Sequence, residues 1–125
     1  MNVARVYDSY VDVPLLQLCQ LTGNKRYKET AIKNLDWIVD KKQQSNGWFV
    51  DCDNTIKHND RPILHTISYT IDGLINSGLI LDDPKYIQAG QKAANKLLDC
   101  YNADRILYGR YEKNWNGSQL PILTG

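Results

Sequence analysis

Apolar residues recur at helical spacing in four stretches of the chain, and the four are of two kinds. The first, about Val11 to Leu21, has Pro14 suited to an opening turn and Gly23 just past its end. It carries no charged residue between Val13 and Asn24. The second, about Lys25 to Gln43, follows Asn24 as a cap and lines up Tyr27, Ala31, Leu35, Ile38 and Val39 on one face. Lys28, Glu29, Lys33, Asp36 and Asp40 are spread around the rest. The third, about Pro62 to Ser77, has Asp60 as its expected cap and Gly78 as its expected stop, and "HTISYTIDGLINSG" holds no Lys, Arg or Glu. The fourth, about Pro84 to Tyr101, opens on Asp-Pro, buries Tyr86, Ile87, Gly90, Ala94, Leu97 and Leu98, and exposes Lys85, Gln88, Lys92 and Lys96. Charge-poor and charge-rich helices therefore alternate. That pattern predicts an all-α fold in which the charge-poor helices form an inner layer, covered on most sides, and the charge-rich helices wrap outside them.

The alternation is also a repeat. "LTGNKRYKETAIKNLDWIV" aligns with "LLDDPKYIQAGQKAANKLL", placing Tyr27 on Tyr86, Ala31 on Gly90, Ile38 on Leu97 and Val39 on Leu98, an offset of 59 residues. The hairpins cover about 11–43 and 62–101, and a Gly-aromatic loop follows each: 44–61, with "NGWF", and 102–119, with "YGRY". The closing "PILTG" repeats "LTG" from Leu21 to Gly23, as an array entering its next unit would. Repeats of this kind bury a continuous core only by stacking.

"LTGNKRYKETAIKNLDWIVDKKQQSNGWF" followed by "HTISYTIDGLINSG" resembles the α/α-toroid families. These are the six-hairpin glycoside hydrolases, toroid polysaccharide lyases, sugar 2-epimerases and terpenoid cyclases. The resemblance covers roughly residues 15–111, so residues 1–125 read as one toroid-like segment of two to two and a half hairpins. It implies an oligosaccharide as partner, and open edges covered by further toroid hairpins or by self-association. It implies a carbohydrate-active protein, with a non-catalytic helical-repeat module and a terpenoid cyclase-like toroid as the alternatives.

Composition narrows the partners. The chain has 125 residues, enough for one domain, with 42% apolar residues, 23% charged residues and a formal net charge of +1. A near-neutral surface gives no reason to expect nucleic acid or an anionic membrane. No apolar run approaches the roughly 20 residues of a bilayer span, and no basic-then-apolar leader opens the chain, so a cytoplasmic protein is expected. Cys19, Cys52 and Cys100 lack CxxC spacing and read as two packed thiols and one loop thiol, with neither a disulfide framework nor a zinc site. "NGS" at Asn116 fits a glycosylation sequon, which matters only in a secreted eukaryotic protein.

The candidate chemistry lies on the third helix. At about 100° per residue, His65, Tyr69, Asp72 and Asn76 share one stripe, opposite Ile63, Leu64, Ile67, Ile71, Leu74 and Ile75. Thr66, Ser68 and Gly73 border the stripe, and all are small. A water-facing stripe usually recruits Lys and Glu; this one suits a polar wall around a cavity. His65 and Tyr69 are one turn apart, an arrangement fit for general acid–base work, with Asp72 as the third catalytic candidate. Toroid lyases and epimerases use His or Tyr in this way, and the resemblance implies the same role here. The competing reading is a hydrogen-bonded polar network between helices.

Trp48, Phe49, Tyr108 and Trp115 supply flat rings for sugar faces, with Asp51, Asp53, Asn76 and Asn116 as hydrogen-bonding partners. The competing reading has these loop rings packed beneath the loops, and Tyr111 is expected to pack. Hydrolysis by two carboxylates requires a mate for Asp72, for which Asp8 and Asp12 are the candidates within the chain. "LDDP" at 81–84 is too short for the Asp-rich motif of protonating terpenoid cyclases. There is no phosphate-binding glycine loop, no HExxH and no Cys/His metal set, and His58 and His65 are not spaced as ligands. No metal and no cofactor are expected.

Overall fold

The computed structural model describes residues 4–55 and 59–120, so His58 and the closing "LTG" lie outside the described residues. A 3-10 turn, Val6–Asp8, leads into α1 (Ser9–Thr22), and α2 (Lys25–Trp37) continues into a π-helical turn, Ile38–Lys42. After the first long loop come α3 (Leu64–Leu81) and α4 (Pro84–Asp104). Two short strands, β1 (Arg110–Tyr111) and β2 (Gly117–Ser118), pair antiparallel in the second loop. The fold is all-α.

The turns inside the two hairpins share one construction. Gly23 (φ 71°) and Asp82 (φ 52°) both close their helices in the left-handed conformation. Asn24 and Asp83 follow and accept from the N–H two residues on, Arg26 and Lys85 respectively. These positions stand in the 59-residue register of the sequence repeat. The loops repeat as well: Val6 N–H donates to the Asp51 carbonyl, and Leu64 N–H donates to the Gly109 carbonyl. Each loop thus returns to the start of its own hairpin's first helix.

α1 and α3 lie side by side, α2 packs on α1, and α4 packs on α3. Side chains join α2 to α4: Lys85 Nζ lies 2.8 Å from Asp36 and 3.1 Å from Asp40, and the Tyr86 hydroxyl donates to Asp36. The result is two layers, α1/α3 and α2/α4. The α1–α3 crossing is close because Gly73 meets Ser9, whose backbone and hydroxyl occupy the space a Cβ at 73 would need. The Ser9 hydroxyl donates to the Thr70 carbonyl (3.4 Å).

Several boundaries differ from expectation. α1 begins two residues earlier and takes Pro14 into its interior, where proline has no N–H to give to the Tyr10 carbonyl. α3 is preceded by Ile63 instead of being capped by Asp60, and it runs through Gly78 to Leu81. Gly78 permits contact with α4: a Cβ there would stand 2.7 Å from Ile87 Cγ1. The expectation that charge-poor helices are covered on most sides needs correcting too. α1 and α3 are covered on the α2/α4 side, while Tyr10, Val11, Leu18, Leu21, Tyr69 and Leu79 are exposed.

The core runs from Val6 through Leu35, Ile38, Ile67 and Leu74 to Tyr86, Ala89, Ala93 and Leu97. The loop residues Trp48, Phe49, Cys52, Tyr111 and Trp115 close its end.

Candidate functional site

The polar stripe of α3 lies on the open side of the bundle. Tyr69 is 37% exposed, Asp72 is exposed, and His65 and Asn76 are half-buried. The His65 and Tyr69 rings, one turn apart, stand 4.2 Å between centroids at a tilt of 59°. Tyr10 of α1 joins them, its ring 5.0 Å from that of Tyr69. The three rings form a run across the α1/α3 layer. Further along α3, the Asn76 amide donates to the Asp72 carboxylate (2.7 Å) and to its carbonyl (3.0 Å), holding both in place by an i,i+4 contact. Four candidates from the sequence are thus brought to one face, next to an aromatic that the sequence pattern did not include.

The loop aromatics go elsewhere. Trp48, Phe49 and Trp115 are buried in the core, so they do not offer faces to a sugar, and the expectation of platforms there is corrected. The two loops are cross-linked through these residues. The Trp48 indole N–H donates to the Tyr111 carbonyl (3.2 Å), and the Trp115 indole N–H donates to the Asn46 carbonyl (3.0 Å). The Asn46 amide donates to the Lys113 carbonyl (2.7 Å). Burying an indole with its N–H satisfied gives large apolar contact without an orphaned donor. Tyr108 is half-buried, its ring filling the space beside Gly117 and its centroid 6.4 Å from that of Tyr111. Asn116 is exposed, and its backbone N–H donates to Glu112.

The loop carboxylates are structural. Asp51 pairs with Lys42 Nζ at 2.7 Å. Asp53 is buried; it accepts from Ile63 N–H and Thr55 Oγ1 and pairs with Arg110 Nη1 at 3.0 Å. Burial alone would raise its pKa, but the Thr55 hydroxyl, the Ile63 N–H and the Arg110 charge outweigh it and hold the carboxyl below its ordinary value. Asp53 thereby ties the first loop to the start of α3 and to β1.

Asp12 is not a mate for Asp72. It is buried on the opposite side of α1, where the Asn34 amide of α2 donates to it (2.7 Å). Burial pushes its carboxyl up to about 7, against the lowering effect of the Asn34 hydrogen bond and helped by the nearby Asp8 charge.

The loop thiol, Cys52, proves the most buried of the three cysteines. It sits 3.4 Å from the Thr70 hydroxyl, and burial pushes it up to about 12. All three thiols are free. Among the described residues no three His, Cys, Asp or Glu side chains come together as a metal-holding group, and no helix is long and apolar enough to cross a membrane.

Tyr10 is the site residue that sequence reasoning missed. Reading Pro14 as part of a first turn starts the helix at Val11 and leaves Tyr10 outside it. The signal was present in the repeat, since Tyr10 stands 59 residues before Tyr69. Comparison of the chain with protein-family models, curated proteins and solved structures finds no match.

Proposed function

We propose that the open α1/α3 face binds oligosaccharide, as the inner wall of a carbohydrate-active α/α toroid would. The observation that carries this reading is the run of Tyr10, Tyr69 and His65 rings, continued along α3 by Asp72 and Asn76. Flat rings suit the apolar faces of sugars, and a carboxylate–amide pair suits their hydroxyls. The inner layer is where a toroid presents its substrate groove. Binding is supported further than catalysis. Proton transfer by His65 and Tyr69 gains most where water is excluded, and Tyr69 and Asp72 are open to solvent.

The rings themselves are the reporters to use, because Trp48 and Trp115 are buried and Tyr108 is wedged beside Gly117. In an NMR titration with a panel of neutral and acidic oligosaccharides, the ring signals of Tyr10, His65 and Tyr69 shift together. Tyr69→Ala abolishes those shifts and leaves the thermal transition nearly in place, since the side chain is exposed. A panel that leaves all three rings unmoved at millimolar sugar overturns the proposal. Where a glycan binds, loss of its turnover in His65→Gln with binding intact assigns the catalytic role.

A further inference from the structure

We infer that the chain docks on a second copy of itself, head to tail, with the free edge of one copy's α1–α2 hairpin against the free edge of another's α3–α4 hairpin. The inference does not depend on the glycan reading. It follows from applying the internal repeat to the contact the two hairpins already make.

Within the chain, α3 presents Thr70, Gly73 and Ser77, all buried, on the side where it meets Ser9 of α1. Shifted back by 59 residues, these positions become Val11, Pro14 and Leu18. They form the uncovered side of α1: Val11 is 54% exposed, Leu18 is 40% exposed, and Pro14 is exposed. An uncharged, apolar helix face of this kind marks an interaction surface. The opposite edge behaves alike. Ser9, buried against Gly73, corresponds to Ser68 of α3, which is exposed. Val39, half-buried and packed on the core, corresponds to Leu98 of α4, which is 55% exposed.

The charges choose the partner. Within the chain, Lys85 of α4 pairs with Asp36 of α2 and with Asp40 of the π-helical turn, and Tyr86 donates to Asp36. The repeat places Arg26 and Tyr27 where Lys85 and Tyr86 stand, and Asn95 and Asp99 where Asp36 and Asp40 stand. Arg26 lies on the free edge of the first hairpin, and Asn95 and Asp99 lie on the free edge of the second, all three exposed. A second copy continuing the stack sets its Arg26 against Asp99 and its Tyr27 hydroxyl against Asn95, reproducing the internal pattern of cation to acid and phenol to polar acceptor. Lys96, 3.9 Å from Asp99 in the same helix, is a weak exposed competitor. Pro14 and Leu18 are bulkier than Gly73 and Ser77, so the joint between copies stands wider than the joint within one. Such a contact is heterologous: each copy uses a different edge, and the assembly grows or closes into a ring.

Charge reversal tests the polarity of the contact. Wild-type protein shows concentration-dependent association beyond a dimer in sedimentation velocity and light scattering. Arg26→Asp and Asp99→Arg, both at exposed positions, each weaken self-association by about tenfold or more. An equimolar mixture of the two variants restores opposite charges at both joints between unlike copies and assembles by alternation, and the double variant regains wild-type assembly. A wild-type monomer across the accessible concentrations overturns the inference. So does a closed twofold dimer, or a mixture no better associated than its components.

Discussion

The Asp12 carboxyl makes the fold's stability depend on pH in a direction opposite to that of most acidic groups. It is buried between α1 and α2, with the Asn34 amide donating to it, and its value moves from 3.8 to about 7 on folding. The folded state therefore holds a proton that the unfolded state gives up. Stability is unaffected by this group below the unfolded value, falls as pH rises between about 4 and 7, and stays reduced above that. Holding the proton up to about pH 7 costs the ionised form about 4 kcal/mol at pH 8, a large share of a small domain's stability. Asp12→Asn keeps the shape and removes the titration. Urea unfolding of both proteins from pH 4 to 8.5 should give nearly equal stabilities at the acid end. The variant should gain steadily as pH rises and lead by about 4 kcal/mol at pH 8. Taking the difference between the proteins cancels the contributions common to both. A gap that does not change with pH, or a variant less stable at pH 8, refutes the reasoning.

Other perturbations address the remaining joints. Trp48→Ala should destabilise by about 3–5 kcal/mol in urea unfolding, because it empties a core position and strands the Tyr111 carbonyl. Trp115→Phe keeps most of the packing and should cost about 1 kcal/mol for the lost indole hydrogen bond, read in the same assay. Gly73→Ala forces α1 and α3 apart at Ser9 and should cost about 1–3 kcal/mol, with a lowered thermal midpoint as the check. Arg110→Met leaves Asp53 buried without its ion partner and should cost about 3 kcal/mol at pH 7. Asp53 has a depressed pKa, so the stability it confers is present above 3.8 and is lost as pH falls through its lower folded value. The variant's deficit should therefore shrink toward the acid end of a pH series.

The helices were legible because their signals are local. Asn24, the Asp83-Pro84 pair and Gly23 state caps in their own chemistry, and all three act as read. The sorting of charge between helices showed which helices share a layer, α1 with α3 and α2 with α4, but not how far each is covered, since α1 and α3 both expose apolar side chains. Gly78 misled because a glycine ends a helix or admits a neighbour equally well, and only the approach of Ile87 decides which. The loop rings misled for a related reason. "NGWF" has no periodicity to say which way an indole points, and the answer comes from a loop about 60 residues away whose carbonyls accept the indole protons. The stripe on α3 was legible as a stripe; the ring of Tyr10 beside it was not, because a proline inside the helix hid the helix's true start.

At the π-helical turn, Ile38–Lys42, the Gln43 N–H reaches back to the Ile38 carbonyl. A five-residue hydrogen-bonded turn takes up one more residue than an α turn. The chain leaves this wider coil extended at Gln43, whose side-chain amide donates to the Ala89 carbonyl of α4 (2.8 Å). The change of pitch thus hands the end of the first hairpin to the second, a strap that fastens the two halves where their helices stop.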